Sequence, residues 1–246
     1  MARVRAAILA AGRGVRMGGD VPKTLVPVDG HESLLYYIIR SLKVVGVTDL
    51  LIVTGHRHHD VEDHATKYGE GLELAFVFNA RYASWGNFHT VRLAIDQSPG
   101  VDLLVVNSDI VVHPDVYRRV LEAPGDLVLA TQRRYRLDEE DMRVWLQGDR
   151  VRGIGKDLPR VYSHGEYAGV SLLRPDAARV YSGIASGLEW RGKTHGYYED
   201  VYALMLGHVD ARAAFVSVGE YAEVDEPKDM TAAAAVVERH ATGWES

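Results

Sequence analysis

Ala7-Ile8-Leu9-Ala10-Ala11-Gly12-Arg13-Gly14-Val15-Arg16-Met17, with Pro22-Lys23 shortly after, runs from an apolar strand pattern straight into small residues and glycines. A strand that ends this way lets backbone N–H groups approach an anion closely, and Arg16 and Lys23 add positive charge suited to a polyphosphate. The run is no dinucleotide fingerprint, because Met17 stands where the third glycine belongs, and no Walker loop, because no Gly-Lys-Ser/Thr follows. The residues alone leave two readings, a triphosphate cradle or an ordinary glycine turn after a strand.

Outward from this loop, short Val/Ile/Leu-rich runs alternate with helical patterns: 5–9 then 33–45, 50–53 then 60–68, 74–78 then 88–96, 103–107 then 114–121. Such alternation reads as parallel β-α units. The strands are continuously apolar, which fits a sheet covered on both faces that binds ligands at its carboxyl ends, here Leu9, Val53, Phe78 and Asn107. Beyond residue 126 the pattern changes. Runs 127–130, 142–147, 150–154 and 168–173 read as strands with polar turns and 175–186 as a helix, a mixed-sheet extension forming the second wall of a cleft. Candidate helices 198–206 and 227–240 bracket strands 213–218 and 221–224. No linker, repeat or low-complexity tract divides the chain, so a single domain over 1–246 is expected, with a nucleotide-binding half (1–125) and an acceptor-binding half (126–246).

Composition narrows the chemistry. The 246 residues suffice for a sizeable core. A formal charge of −6 without any Lys/Arg block argues against nucleic acid as a partner. Zero cysteines exclude a disulfide framework, a zinc-thiolate site and a thiol nucleophile, so catalysis must use oxygen and nitrogen. The apolar runs are short and no signal-like stretch opens the chain, so a cytoplasmic protein with no membrane partner is expected. Oligomeric state stays open, a homodimer included.

The string Leu9, Ala10, Ala11, Gly12, Gly14, Arg16, Met17, Pro22 and Lys23 resembles the L-A-A-G-x-G-x-R-M…P-K signature of the sugar-1-phosphate and phosphoalcohol nucleotidyltransferases, and Thr24-Leu25-Val26-Pro27-Val28 continues it. The resemblance implies a Rossmann-like three-layer α/β/α fold with a mostly parallel, mixed central sheet. It also implies that Leu9, Ala10, Ala11, Gly12, Arg13 and Gly14 wrap the triphosphate while Arg16 and Lys23 steady it during transfer.

Asn107-Ser108-Asp109 follows the apolar run 103–106 and places Asp109 just past a strand end. Magnesium takes one or two carboxylates plus phosphate oxygens, which Asp109 suits, although an Asp after a strand is also an ordinary cap or turn residue. Family members often carry Asp-x-Asp here, and Asn107 departs from that pattern. Glu223, Asp225 and Asp229 match the family's E-x-D-x-x-x-D context, which supplies a second metal aspartate, so Mg2+ on Asp109 and Asp225 is the expectation; from spacing alone Asp225 equally caps the next helix.

The segment 79–94 resembles the N-x-x-Y…N-N-x-x-S-L-x-x-A stretch of the cytidylyltransferase branch, the enzymes that activate phosphocholine, inositol phosphate and phosphonates with CTP. Gly86, Thr90 and Val91 depart from it. Asn79, Asn87, Thr90 and Ser108 are thereby expected at the nucleotide, and Asn87 is equally placed to be an N-cap. Lys156 resembles the family lysine that contacts the acceptor phosphate, without its preceding glutamate. Glu166 and Gly169 fall in a strand where the family's glycine lets the acceptor lie against backbone. Tyr197-Tyr198-Glu199-Asp200 stands where phosphocholine-type enzymes have an aromatic-acidic segment, suited to an ammonium group; the alternative is a helix start with Tyr in the core and acids near its N-terminus. His56, His58, His59 and His64 lack a metal-ligand spacing and are read as loop residues.

These readings converge on a magnesium-dependent cytidylyltransferase that joins CMP from CTP to a small phosphorylated alcohol or phosphonate with loss of pyrophosphate. The alternatives are a hexose- or cyclitol-1-phosphate nucleotidyltransferase using UTP, GTP or dTTP, and a non-catalytic nucleotide-sensing domain.

Overall fold

The computed structural model describes residues 3–14, 21–28 and 30–239. The apolar run before the glycine loop forms β1 (Val4–Ala10). There follow α1 (Leu34–Val44), β2 (Asp49–Thr54), α2 (His58–Tyr68), β3 (Glu73–Phe78) and α3 (Phe88–Asp96). Next come β4 (Asp102–Asn107), a three-residue β5 (Ile110–Val112) and α4 (Pro114–Glu122). The second half supplies β6 (Leu127–Arg133), β7 (Arg143–Gln147), β8 (Arg150–Gly155), β9 (Gly165–Leu173) and α5 (Pro175–Trp190). It closes with α6 (Tyr198–Met205), β10 (Ala211–Val216), β11 (Tyr221–Glu223) and α7 (Met230–Arg239).

Among the described residues these strands form a nine-stranded sheet in the order β3-β2-β1-β4-β9-β6-β10-β8-β7, which mixes elements from both halves of the chain. The pairs β1–β2, β1–β4, β2–β3 and β6–β10 are parallel, whereas β9 and β8 run against their neighbours. Alternation along β1 shows how the layers arise. Ala6, Ile8 and Ala10 pack with α1, α2 and α4 on one face. Ala7 packs with α3, α5 and α6 on the other. Both faces are therefore covered, which is why the inner strands read as unbroken apolar runs. Ser33 fixes the start of α1 by accepting from Tyr36 N at 3.1 Å. No helix of the described residues is long and apolar enough to cross a membrane.

One feature builds the site. β5 leaves the turn after β4 and pairs with β11 as a separate two-stranded ribbon, Glu223 opposite Ile110. Val224 N extends that ladder by donating to Asp109 O at 2.8 Å. α7 lies over the ribbon through Ala233, Ala234, Val236 and Val237, against Val111, Ala222 and Val224. The far end of the chain is thereby pinned to the carboxyl end of β4.

Candidate active site

Two recesses open at the carboxyl ends of β1 and β4 and share a wall. The first, of about 340 Å³, is lined by Leu9, Ala10, Ala11, Gly12 and Gly14 of the loop, by Pro22, Lys23 and Thr24, and by Asn87, Thr90, Asn107, Ser108, Asp109 and Asp225. The second, of about 510 Å³, takes Arg134, Lys156, Glu166, Gly169, Tyr197, Glu199, Tyr221 and Glu223 among its lining residues. Asn87, Asn107, Asp109 and Asp225 belong to both.

Local chemistry explains the first recess. Gly14 has φ 59°, and a side chain there would meet Lys23 Cβ at 2.9 Å, so glycine lets the loop close onto the Lys23–Leu25 turn. Ser108 Oγ donates to Leu9 O at 2.8 Å and ties the β4–β5 turn to the same loop. Lys23 Nζ then lies 3.0 Å from Asp109 Oδ2 and 2.5 Å from Asp225 Oδ1. Burial alone would lower its ammonium, but the Asp109 charge and the Asp225 hydrogen bond outweigh that and hold it above its ordinary value.

Asp225 owes its place to Asp229, whose Oδ2 accepts from the backbone N–H of Asp225 at 2.9 Å and of Glu226 at 2.8 Å. Asp109, Glu223 and Asp225 each bring an oxygen within 4.8 Å of the others. Asp109 Oδ1 is buried without a hydrogen-bond partner. Burial away from water and then the charges of Asp109 and Asp225 push Glu223 up to about 8. A hard divalent cation suits this donor set, because it supplies the charge that three converging carboxyls and an orphaned oxygen lack.

The second recess is acidic. Glu166, buried within β9, sits 2.9 Å from Arg134 Nη1 in ion-pair range. Burial lifts its carboxyl to about 7 although Arg134 opposes the shift. Glu199 is buried at the start of α6 with Oε2 unpartnered, and burial, helped by the Asp200 and Asp109 charges, raises it to about 8. Lys156 Nζ donates to Glu140 Oε2 at 3.0 Å and lies 5.6 Å from the centre of the Tyr197 ring, which is 47% exposed. Gly169, at φ 72°, lies beneath Asn107.

Four residues expected at the site line neither recess. Arg13 is exposed and lines neither recess. Asn79 is buried with both ends of its amide engaged, Nδ2 donating to Thr90 Oγ1 at 3.1 Å and Oδ1 accepting from Arg81 N at 2.9 Å, so it holds Thr90 rather than facing the cleft. Tyr198 is fully buried behind Asn107. Asp200 Oδ2 accepts from Tyr197 N at 2.7 Å, one half of a capping box at the start of α6 whose N-cap is Tyr197. The aromatic-acidic segment thus divides: Tyr197 and Glu199 reach the second recess, whereas Tyr198 packs inward and Asp200 caps. Arg16 lies outside the described residues.

Asn87 stands at the start of α3 without capping it, and its Oδ1 accepts from Tyr198 N at 2.9 Å instead. Sequence reasoning gave no role to Asn107, Glu223 or Arg134. The displaced family aspartate was the signal for Asn107, and the quoted E-x-D context was the signal for Glu223. Nothing in the sequence singles out Arg134, which reaches the recess only because β6 lies beside β9.

Residues 6–139 match a family described as the MobA-like NTP transferase domain. Over 244 residues the chain is 30% identical to the CMP-5'-(3-aminopropyl)phosphonate synthase of Streptomyces rubellomurinus, an alignment covering 92% of this chain and 38% of that protein. It is 32% identical over 246 residues to the bifunctional IPC transferase and DIPP synthase of Rubrobacter xylanophilus, covering 98% and 52%. The chain therefore spans about half or less of the length of these curated relatives. Its fold superposes on the CTP:phosphocholine cytidylyltransferase of Streptococcus pneumoniae with a TM-score of 0.75 at 23% identity, covering 93% of this chain and 96% of the other.

Proposed function

Because the chain belongs to the MobA-like NTP transferase family, we propose that it moves CMP from CTP to a small molecule bearing a phosphonate or phosphate at one end and a primary ammonium at the other, releasing pyrophosphate. One observation carries the reading: the loop-lined recess and the acidic recess meet at a wall of Asn87, Asn107, Asp109 and Asp225. A group held in one recess could meet a group held in the other across these shared residues, which is what in-line displacement needs. Cytidine is the nucleoside that relatives carry in their names, in a CMP-phosphonate synthase and a CTP:phosphocholine cytidylyltransferase.

The acceptor's charge follows from the second recess. The carboxyls of Glu166, Glu199 and Glu223, which burial holds at about 7, 8 and 8, line it beside Arg134 and Lys156, and an acceptor's ammonium would favour their charged form. A primary ammonium donates three hydrogen bonds and is satisfied by such carboxyls, whereas a quaternary ammonium donates none and wants an aromatic cage. Here Lys156 already lies against the Tyr197 ring, and the Tyr221 hydroxyl is occupied by Glu223 Oε2 at 3.2 Å. Arg134 and Lys156 remain to hold the acceptor's phosphonate.

In the reaction an acceptor oxygen attacks the α-phosphorus, a new O–P bond forms, and the bond to the β-phosphate oxygen breaks as pyrophosphate leaves. That oxygen is already anionic, so no strong general base is required. The protein's work is to bring two anions together. Lys23, steered by Asp109 and Asp225, supplies positive charge beside the triphosphate, and the loop from Leu9 to Gly14 supplies backbone N–H groups. A magnesium ion held by Asp109 and Asp225 would neutralise phosphate charge and polarise the α-phosphate.

The test is pyrophosphate release with each of CTP, UTP, GTP and dTTP against 2-aminoethylphosphonate, phosphocholine, inositol phosphate and glucose 1-phosphate. The proposal expects release with CTP and the primary amine. Release with glucose 1-phosphate and another triphosphate would favour a sugar-nucleotide enzyme, and nucleotide binding without release under any pair would favour a sensing domain.

A further inference from the structure

Asn107 occupies the last position of β4, is half-buried, and lines both recesses. A nucleotide's α-phosphate is the one group that must touch both sides of that wall, since it is attached to the nucleoside and attacked by the acceptor. Asn107 offers one acceptor oxygen and one NH2 donor. Its Oδ1 accepts from the Tyr198 hydroxyl at 2.8 Å. That bond orients the amide, because a phenol hydroxyl donating to Oδ1 leaves Nδ2 on the other side. Nδ2 donates to no protein group among the described residues and lies over Gly169, where an added Cβ would come within 3.0 Å of Nδ2 and 3.1 Å of Asn107 Cβ.

The orientation is braced from behind. Tyr198 is fully buried, and its hydroxyl lies 3.2 Å from that of Tyr167. The Tyr167 hydroxyl lies 3.0 Å from Ser171 Oγ, which lies 2.8 Å from the Tyr202 hydroxyl. Each hydroxyl has one proton, so with Tyr198 donating to Asn107 the 3.2 Å contact is closed by Tyr167 donating to Tyr198, and the chain runs from Tyr202 through Ser171 and Tyr167. A buried hydroxyl chain of this kind is fixed because each member left unpaired would cost free energy. Gly169 acquires a second meaning here. Its positive φ and missing side chain clear space for the Asn107 amide, so the glycine serves the donor as much as any acceptor lying against its backbone.

We infer that Asn107 Nδ2 donates a hydrogen bond to a non-bridging oxygen of the nucleotide's α-phosphate, and that Tyr198 is a positioning residue that aims this donor. The inference rests on the proposed nucleotidyl transfer. A carboxylate in the same place would set a negative charge beside that phosphate unless a cation lay between them. The neutral amide instead gives this chain a direct contact, leaving cation binding to Asp109 and Asp225.

The test compares a nucleoside monophosphate with its nucleoside. Calorimetry without divalent cation measures binding of CMP and of cytidine to the wild type, Asn107→Ala, Tyr198→Phe and the double variant, and of CMP to Asn107→Asp, with melting curves to confirm folding. If the wild type binds another base instead, the matching pair is used. We expect Asn107→Ala to weaken CMP about tenfold with cytidine unchanged, as for the loss of one donor to a charged oxygen. Tyr198→Phe keeps the ring in the core and should weaken CMP by a smaller factor, again sparing cytidine. The double variant should match Asn107→Ala alone, because Tyr198 acts through the amide. Equal CMP binding in all four proteins, CMP losses that multiply in the double variant, or Asn107→Asp binding CMP as tightly as the wild type in the absence of divalent cation would overturn the inference. A wild type that binds no nucleoside monophosphate would overturn it together with the proposed function. A wild type that binds CMP through Asn107 yet releases no pyrophosphate with any acceptor would leave this contact standing and sink only the transfer.

Discussion

Lys23 Nζ and Asp225 Oδ1 stand 2.5 Å apart although 202 positions of sequence separate them. The contact closes a circuit from the glycine loop through β4 to the last helix, since Asp109 takes the other side of the same ammonium at 3.0 Å. Two carboxylates this close repel unless a cation lies between them, and in this arrangement the lysine supplies it.

Replacing Lys23 by Met should therefore separate two effects. Turnover should fall by about two orders of magnitude, as for the loss of one charge-stabilising donor. Binding of Mn2+ without nucleotide, followed by electron paramagnetic resonance, should tighten about tenfold because the paired carboxylates lose their internal cation. Weaker Mn2+ binding in the variant would show that the lysine does not offset those charges.

Glu199 gives the acceptor prediction. Changing it to Gln should raise the KM for 2-aminoethylphosphonate about tenfold while leaving that for ethylphosphonate, which lacks the amine, within a factor of about two. Equal effects on the two acceptors would remove Glu199 from ammonium recognition.

The same residue predicts a pH effect on stability. Burial holds the Glu199 carboxyl at about 8 against an ordinary 4.5. The folded chain keeps a proton that the unfolded chain has released, so this contribution is fully present below the unfolded value and is lost as pH rises through the folded one. The melting temperature of the wild type should fall between about pH 5 and pH 8.5, and Glu199→Gln should flatten part of that slope. Parallel curves for the two proteins would contradict the assignment.

Asn79 separates structure from recognition. Its side chain is buried and bonded to Thr90 and to the Arg81 backbone. Asn79→Ala should cost about 1–3 kcal/mol of stability by leaving those groups unpaired. CTP affinity per folded molecule should change little. A loss of affinity at unchanged melting temperature would return Asn79 to the nucleotide.

Much of this architecture was legible because local pattern and tertiary role coincide. The apolar runs ending at Leu9 and Asn107 are strands buried on both faces, and the small residues after Leu9 let the chain turn closely at the end of the first. What escaped depended on distance. β5 is only three residues long and follows Asp109 at once, so nothing local separates it from a turn; its partner β11 is needed to make it a strand. Tyr197 and Tyr198 are adjacent and alike, yet the first faces a recess and the second the core, a choice set by how α6 rolls onto the sheet. Glu223 looked like a strand residue, and only its approach to Asp109 and Asp225 gives it chemical weight. Family resemblance located the two aspartates; the β5–β11 ribbon is the physical reason they meet.

The most direct measurement is phosphorus NMR of the wild type and of Asp109→Asn with CTP, Mg2+ and 2-aminoethylphosphonate. The wild type should convert the phosphonate signal into a P–O–P-coupled product with stoichiometric pyrophosphate, and Asp109→Asn should slow this by at least about a hundredfold while melting as a folded protein. Conversion by Asp109→Asn at close to the wild-type rate would contradict the account.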